Sequence, residues 1–512
     1  MKLNYRRVLF VSLAFFLIQM FWQCYDSIIP KILTDKFGMV QWLSGAVMAL
    51  DNVLALFLLP LFGSLSDKCN AKIGRRTPFI AIGTLIACVL FVSLSFADNM
   101  QLTSISKISD TQSKETLSFL YNEDLGDISE RIHDAFVSEE DFCNIEMYDS
   151  EGDLTEDYQN YVTPARQAYA WRRTVENPVP LIVFTVLLLL TLVAMSVFRS
   201  PAVALMPDVT PKPLRSKGNA VVNLLGTVAG AIVLVIGIVF GTGKTENSVM
   251  SYTVFFAVIA VLMALALCVF LLTVKERKWA GEANALNEKL DFASSKTESE
   301  TTKDSKRKLS RGERFSLVLL LLSVAFWYVG YNAVTTKYSV YAGEVLGVDY
   351  NTTLLVALAV AAVCFLPVGF LSSKLGRKKM ILFGVAILGL AFFIASFITS
   401  KSPAWLMNVL FGMAGIGWAS INVNSFPMVV ELATGSDVGK YTGLYYSASM
   451  AAQCIAPWLS GVFLEYVSMK TLFPFGTIAV AVSFVTMLFV RHGDSKPDVL
   501  RAIEEGVEGE ID

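Results

Sequence analysis

Three ionisable residues stand out as clear cases inside the long apolar stretches of this chain: Asp26, Asp51 and Arg199. A charge in lipid is expensive, so each is a functional candidate by default. A carboxylate in a low-dielectric site can take up and release a proton near neutral pH. Asp26 and Asp51 are therefore candidates for proton coupling, and Arg199 is grouped with them as an ion-coupling candidate. At about 1.5 Å per residue, Asp51 falls roughly 15 Å into the second apolar run, near the midplane. Asp26 falls in the outer third of the first run and Arg199 in the inner third of the fourth. Plainer alternatives exist for each: a hydrogen-bonding residue of the bundle for Asp51, a wet interface for Asp26, and snorkelling to the inner headgroups for Arg199.

Polar side chains share faces with these charges. Ser12, Phe16, Gln19, Gln23, Asp26 and Pro30 recur at steps of three or four, which puts them on one helix face. Two glutamines and an aspartate cannot face lipid, so this face should line a water-filled cavity. Trp22 and Tyr25 flank it, and an aromatic ring against the C–H face of a sugar is a common recognition mode. The seventh run repeats the pattern with Tyr328, Asn332, Thr335 and Ser339. Asn223, Ser420 with Asn424, and Tyr446 with Ser449 and Gln453 add amides and hydroxyls elsewhere. Such groups both donate and accept, which suits a polyhydroxylated neutral ligand. They serve equally well as helix–helix contacts, worth about 0.6 kcal/mol each.

These residues need a membrane scaffold. Of 512 residues, 54% are apolar and 17% charged, and mean hydropathy is +0.55. Soluble domains carry about 25% charge. A net charge of −2 argues against nucleic acid as a partner. Two histidines and seven scattered cysteines offer no metal-ligand spacing and no disulfide framework, so neither a metal nor a cofactor is expected. No phosphate-binding loop is present, so an ion gradient must supply the energy.

Twelve apolar runs lie near 8–30, 41–64, 78–97, 179–205, 219–240, 250–274, 315–341, 352–372, 380–400, 404–429, 442–466 and 471–490. A spanning helix needs roughly 20 such residues, and in lipid each run must close its own backbone hydrogen bonds. The expectation is an all-α polytopic membrane protein with twelve transmembrane helices in a 6+6 arrangement. With both termini cytoplasmic, the inner segments hold 29 Lys and Arg and the outer ones 11. The plasma membrane is the expected location.

Two loops are long. Residues 98–178 lie outside and carry 18 acids against 6 bases. They read as a mobile acidic insertion or as a small folded cap, since Leu117, Phe119, Leu120, Leu125, Ile128, Ile132 and Phe136 recur at roughly helical spacing. Residues 275–314 lie inside and separate an N-terminal half, 1–274, from a C-terminal half, 315–491. An acidic tail, 492–512, follows.

A short pattern recurs after the second run of each half: Gly63-Ser-Leu-Ser-Asp67-Lys68 leading to Gly74-Arg75-Arg76, and Gly369-Phe-Leu-Ser-Ser373-Lys374 leading to Gly376-Arg377-Lys378. Glycine lets helices approach closely. Asp67 can cap the following helix or pair with a base, and the bases hold the loop at the inner face. These loops resemble the signature of the major facilitator superfamily, whose second copy usually has Asp where Ser373 stands. The resemblance implies gating roles for Gly63, Asp67, Gly74, Arg75, Arg76, Gly369, Arg377 and Lys378, and a first-half loop that dominates the inner latch.

The longer stretch from Pro60 through Cys69 to Gly74-Arg75-Arg76-Thr-Pro78-Phe79-Ile80 is similar to glycoside–pentoside–hexuronide:cation symporters, closest to their sucrose-transporter-like branch. Ser200-Pro201 to Asp208, Arg215 to Ala220, and Gly439 to Gln453 agree with it. Val203 stands where that branch has a membrane Arg, and Arg199 precedes Pro201 instead. The resemblance places helices 1, 4, 7 and 10 around a central cavity. With that placement, the polar and aromatic faces above make Gln19, Trp22, Gln23, Tyr25, Asn223, Tyr328, Asn332, Asn424 and Gln453 the candidate substrate contacts. The function so read is a secondary active transporter, not an enzyme: proton-coupled symport of a sugar or glycoside by alternating access, with sodium as the other possible coupling cation. A monomer in the bilayer is expected. The competing readings are an exporter or antiporter of another small solute, which the same fold supports, and a membrane sensor whose outer loop binds a partner.

Overall fold

The computed structural model describes residues 4–211, 215–297, 310–432 and 438–493. Among the described residues, twelve helices are long and apolar enough to cross a membrane. Six lie in the first half: α1 (Tyr5–Lys31), α2 (Gln41–Asp67), α3 (Thr77–Ser104), α8 (Val179–Val209), α9 (Arg215–Phe240) and α10 (Thr253–Thr273). Six follow: α12 (Arg311–Tyr341), α13 (Tyr350–Leu375), α14 (Arg377–Ala395), α15 (Ala404–Glu431), α16 (Val438–Tyr466) and α17 (Leu472–Leu488). Among the described residues there is no strand, only one antiparallel bridge between Tyr148 and Leu154. The spans overrun the apolar runs at several ends. The first continues through a wide turn, Ile32–Lys36, and the seventh through another, Ala342–Leu346. Hydropathy stops at the first charge, whereas helical hydrogen bonding does not.

The chain divides into two compact units. The first comprises Met1–Thr301 with Tyr338–Thr352, and the second Thr302–Lys337 with Thr353–Asp512. In the first, α3 packs on α8, and α1 on α9 and α10. A Cβ at Gly83 would lie 2.8 Å from Phe198 Cβ, so only glycine admits this α3–α8 approach. In the second, α14 packs on α15 through Gly384 and Gly417, each with the other's carbonyl oxygen within 2.8 Å of its would-be Cβ.

The 98–178 segment is folded. It forms α4 (Lys114–Asn122), α5 (Asp127–Ala135), α6 (Glu139–Cys143) and α7 (Thr163–Glu176). Leu117, Leu120, Ile132, Phe142, Tyr158 and Tyr169 build a core of its own. Ser113 and Ser138 cap α4 and α6. The backbone of α7 rests on the turn after the first span, where Gly38 has φ +65° and a Cβ would meet Gln167 O and Trp171 N at 2.3 Å. Thr174 Oγ1 donates to Phe37 O at 2.9 Å and accepts from Gln101 Nε2 at 2.9 Å. The mobile-loop expectation for 98–178 therefore gives way to the folded cap. Burial of the helically spaced apolar side chains offsets the entropy of ordering them.

Candidate functional site

Asp26, Asp51 and Arg199 come together in the N-terminal unit, each within electrostatic range of the other two. They arrive on α1, α2 and α8. The Arg199 guanidinium lies over the Trp22 ring, 4.9 Å from its centroid. Asp51 is buried and accepts from Asn52 Nδ2 at 2.7 Å. Trp22 and Tyr25 pack edge to face at 5.4 Å, and Tyr25 is buried with its hydroxyl 3.4 Å from Met48 O. The Trp22 indole N–H is buried without a hydrogen-bond partner. Snorkelling of Arg199 to the headgroups thus gives way to a cation–π contact within electrostatic range of two carboxylates. Depth counted along one helix does not transfer between spans of 19 to 36 residues, because spans longer than the bilayer tilt or overhang it. With both acids ionised the trio carries one net negative charge, so uptake of one proton makes it neutral.

The other candidates on this unit are less concentrated. Gln23 Nε2 donates along its own helix to Ser27 Oγ at 3.1 Å. Gln19 is exposed and lies against Gly226 of α9, where a Cβ would stand 2.9 Å from its Cγ. Asn223 is exposed one turn before that glycine.

The C-terminal unit carries an aromatic group. Trp418 stacks on Tyr331 at 3.8 Å with planes 7° apart, and meets Tyr328 edge-on at 5.6 Å. Tyr328 and Tyr445 share a hydrogen bond, and the Tyr445 hydroxyl is 2.9 Å from Ser425 Oγ. Asn332 donates to Tyr328 O at 2.8 Å, Asn424 to Ser420 O at 2.8 Å and Gln453 to Ser449 O at 3.3 Å. Each amide thus donates to its own preceding turn and keeps its oxygen for another partner.

The Gly63–Arg76 loop is a charged lock. Arg76 Nε donates to Asp208 Oδ2 at 2.9 Å, and Arg76 Nη2 pairs with Asp67 Oδ1 at 2.5 Å. Arg75 meets the other Asp208 oxygen at 2.9 Å. Asp67 takes the pairing role of its two options. The cap of α3 comes instead from Glu276, at the start of α11 (Glu276–Thr297). Its carboxylate accepts from the Arg75, Arg76 and Thr77 backbone N–H groups at 2.8–3.1 Å and from Thr77 Oγ1 at 2.7 Å. Gly74 has φ +133°, and a Cβ there would stand 2.1 Å from Glu276 Oε2, so the motif glycine makes room for the cap. In the second copy Gly376 takes φ +93° before α14, Arg377 Nη1 donates to Pro427 O at 3.5 Å and Lys378 Nζ to Leu488 O at 2.9 Å. A Cβ at Gly369 would meet open space. The Ser373 side chain lies outside the described residues.

The profile described as "Major Facilitator Superfamily" matches residues 175–366 and 353–506, and "MFS/sugar transport protein" matches 11–108. The chain belongs to the major facilitator superfamily. Its fold agrees: a xylose transporter of E. coli, XylE, in an inward-open conformation superposes with TM-score 0.58 at 13% identity, over 98% of this chain and 100% of that one. The nucleoside transporter NupG superposes at TM-score 0.55 and 12% identity, over 94% and 100%. Sequence relatives include the sucrose transport protein SUT3 of Oryza sativa subsp. indica, 35% identical over 72 residues, which are 14% of this chain and 12% of that one. The proton-associated sugar transporter A of Homo sapiens is 30% identical over 93 residues, 18% and 12% respectively. The similarity thus spans about an eighth of each relative's length. Fold and family are those of membrane transporters.

This superfamily member carries further charged residues inside its candidate spans. Lys31, Asp35, Lys36, Asp98 and Glu344 also lie within spans. Lys36 Nζ sits 2.6 Å from both Asp98 oxygens with both side chains wholly buried, and 4.4 Å from the Tyr252 ring centroid. Their charges cut short the apolar windows, so they read as loop residues. Glu276 and the Tyr331–Trp418 pair were equally hidden. The only trace of Glu276 is an acid one residue beyond the basic end of the sixth run, and the two aromatics look like ordinary apolar filler.

Proposed function

We propose that this transporter couples the uptake of a sugar or glycoside to proton entry by alternating access in the plasma membrane, with both termini in the cytoplasm. The observation that carries the reading is the Asp26–Asp51–Arg199 cluster beside the unpartnered Trp22 indole. One proton discharges this cluster, and an indole N–H is a donor for a neutral acceptor such as a sugar hydroxyl. The amide oxygens of Asn332, Asn424 and Gln453 extend the same neutral chemistry. The names of the sucrose and proton-associated sugar relatives point the same way, over short stretches. The test is uptake into proteoliposomes from a panel of mono- and disaccharides and glycosides, with an imposed pH gradient, a sodium gradient or neither. Accumulation of a sugar driven by inward proton flow supports the reading. Accumulation driven only by sodium moves the coupling ion, and efflux or exchange of non-sugar solutes alone overturns it.

A further inference from the structure

At the insertion end of the N-terminal unit, a cavity of about 20 Å³ is lined by Lys31, Asp35, Arg166, Gln167, Thr245 and Glu344, among others. That is room for about one water. Asp35 is on the wide turn that ends the first span and Glu344 on the one that ends the seventh. Both carboxyls line this one cavity and face one another within it. Two ionised carboxylates this close repel, and a hydrogen bond between them needs one proton, because neither anion can donate. Gln167 of the folded insertion donates to Glu344 Oε1 at 2.6 Å. Arg166, buried on the same helix, donates to Ser248 Oγ at 3.2 Å and approaches the Tyr158 hydroxyl at 3.4 Å, while its Nε has no partner.

We propose that Asp35 and Glu344 together hold one proton, and that this shared proton latches the end of the seventh span to the end of the first under the folded insertion. The site lies apart from the Asp26–Asp51–Arg199 cluster, and nothing in the proposed transport reaction requires it. Its surroundings are consistent with a single proton. Lys31 faces Asp35, Glu344 and Asp349, and donates to Thr242 O at 3.1 Å. Lys36 faces Asp35 but is already paired with Asp98. Asp349 is held by Asn351 through its N–H and Nδ2 at 2.8 and 2.9 Å. Tyr252 also faces Asp35, and on the neighbouring 241–252 segment Glu246 pairs with Lys244 at 3.2 Å. When the shared proton leaves, the hydrogen bond becomes a contact between two anions. Other contacts, such as Thr245 Oγ1 to Gly343 O at 2.8 Å and Thr242 Oγ1 to the Tyr350 hydroxyl at 3.0 Å, must then hold the segment alone.

The sign follows from linkage. The latched state binds one more proton than the released state, so latching is strongest at acidic pH and weakens as pH rises, by up to about tenfold in equilibrium constant per pH unit. Hydrogen exchange on the full chain in lipid nanodiscs, at pH of about 5.5 and 8.5 and corrected for intrinsic rates, reads this directly. Amides of 31–38 and 339–348 should lose protection at the higher pH, while those of α14 and α15 should not. Glu344→Gln supplies a permanent donor to Asp35 and still accepts from Gln167, so protection should stay at its acidic level at both pH values. Asp35→Asn is the equivalent change from the other side if the first variant folds poorly. Glu344→Ala should be weakly protected throughout. Equal wild-type protection at both pH values, or wild-type pH dependence persisting in Glu344→Gln or Asp35→Asn, overturns the proposal. No cargo is involved, so failure of the sugar reading leaves this test intact, and the reverse also holds.

Discussion

Glu276 is the residue whose replacement tests the packing logic most sharply. It is 2% exposed, and its carboxylate meets three backbone N–H groups and one hydroxyl at the start of α3. Hydrogen bonds to a charged group are worth about 1.5–3 kcal/mol each, and an unsatisfied buried donor costs about 1–3 kcal/mol. These do not add, because water enters the gap left by the side chain. A total of about 3–5 kcal/mol for Glu276→Ala is the scale for breaking a buried charged network. Glu276→Gln keeps one acceptor oxygen and loses the charge facing the helix N-terminus, so about 1–2 kcal/mol is expected. The same helix carries its own control. Glu282 pairs with Arg7, but the two side chains are 44% and 40% exposed. An exposed pair contributes about 0–1 kcal/mol. Thermal denaturation of purified protein, followed by loss of the monodisperse species at one heating rate, should rank Glu276→Ala well below Glu276→Gln, with Glu282→Gln close to the parent. Equal melting of Glu276→Ala and Glu282→Gln would refute the claim that this carboxylate organises the loop.

Three further outcomes are expected. Asp51→Asn should abolish accumulation driven by a pH gradient while cargo counterflow survives; accumulation at the parent level would make Asp51 structural and shift coupling to Asp26. Asp208 bridges Arg75 and Arg76 and is 17% exposed, against 56% for Asp67, so Asp208→Asn should slow turnover more than Asp67→Asn, and Ser373→Ala least. Cysteine labelling from each side together with uptake kinetics decides this ranking, and a change confined to cargo affinity contradicts it. Lys36→Met alone strands a wholly buried Asp98 and should cost about 3–5 kcal/mol, whereas Lys36→Met with Asp98→Leu should recover most of the loss; thermal denaturation of both variants and the parent gives the comparison, and a double variant no better than the single one would show that the pair itself is needed.

The twelve spans were legible because their cause is local: a run of about 20 apolar residues in lipid has no alternative to closing its own hydrogen bonds. The Gly63–Arg76 motif was legible for a related reason, since its glycine spacing and bases mark a tight inner turn within one stretch of chain. What decided the rest is distance along the chain. Lys36 is matched by Asp98 and the α3 N-terminus by Glu276, at separations of 62 residues and more. A hydropathy window sees the charge and ends the span, while the folded chain buries that charge because its partner arrives from elsewhere. The 98–178 segment shows the same limit. Its helical spacing was visible, but whether that apolar face is covered depends on four helices and the 241–252 segment meeting. Arg199 makes the point inside the membrane: its type marked it as functional, and only the packing of α8 against α1 and α2 placed it over Trp22 beside two carboxylates rather than among headgroups. Local sequence determines which helices form and where they cross, because lipid leaves the backbone one solution. Tertiary packing decides which charges the membrane tolerates, because only a partner brought in from a distant part of the chain offsets their desolvation.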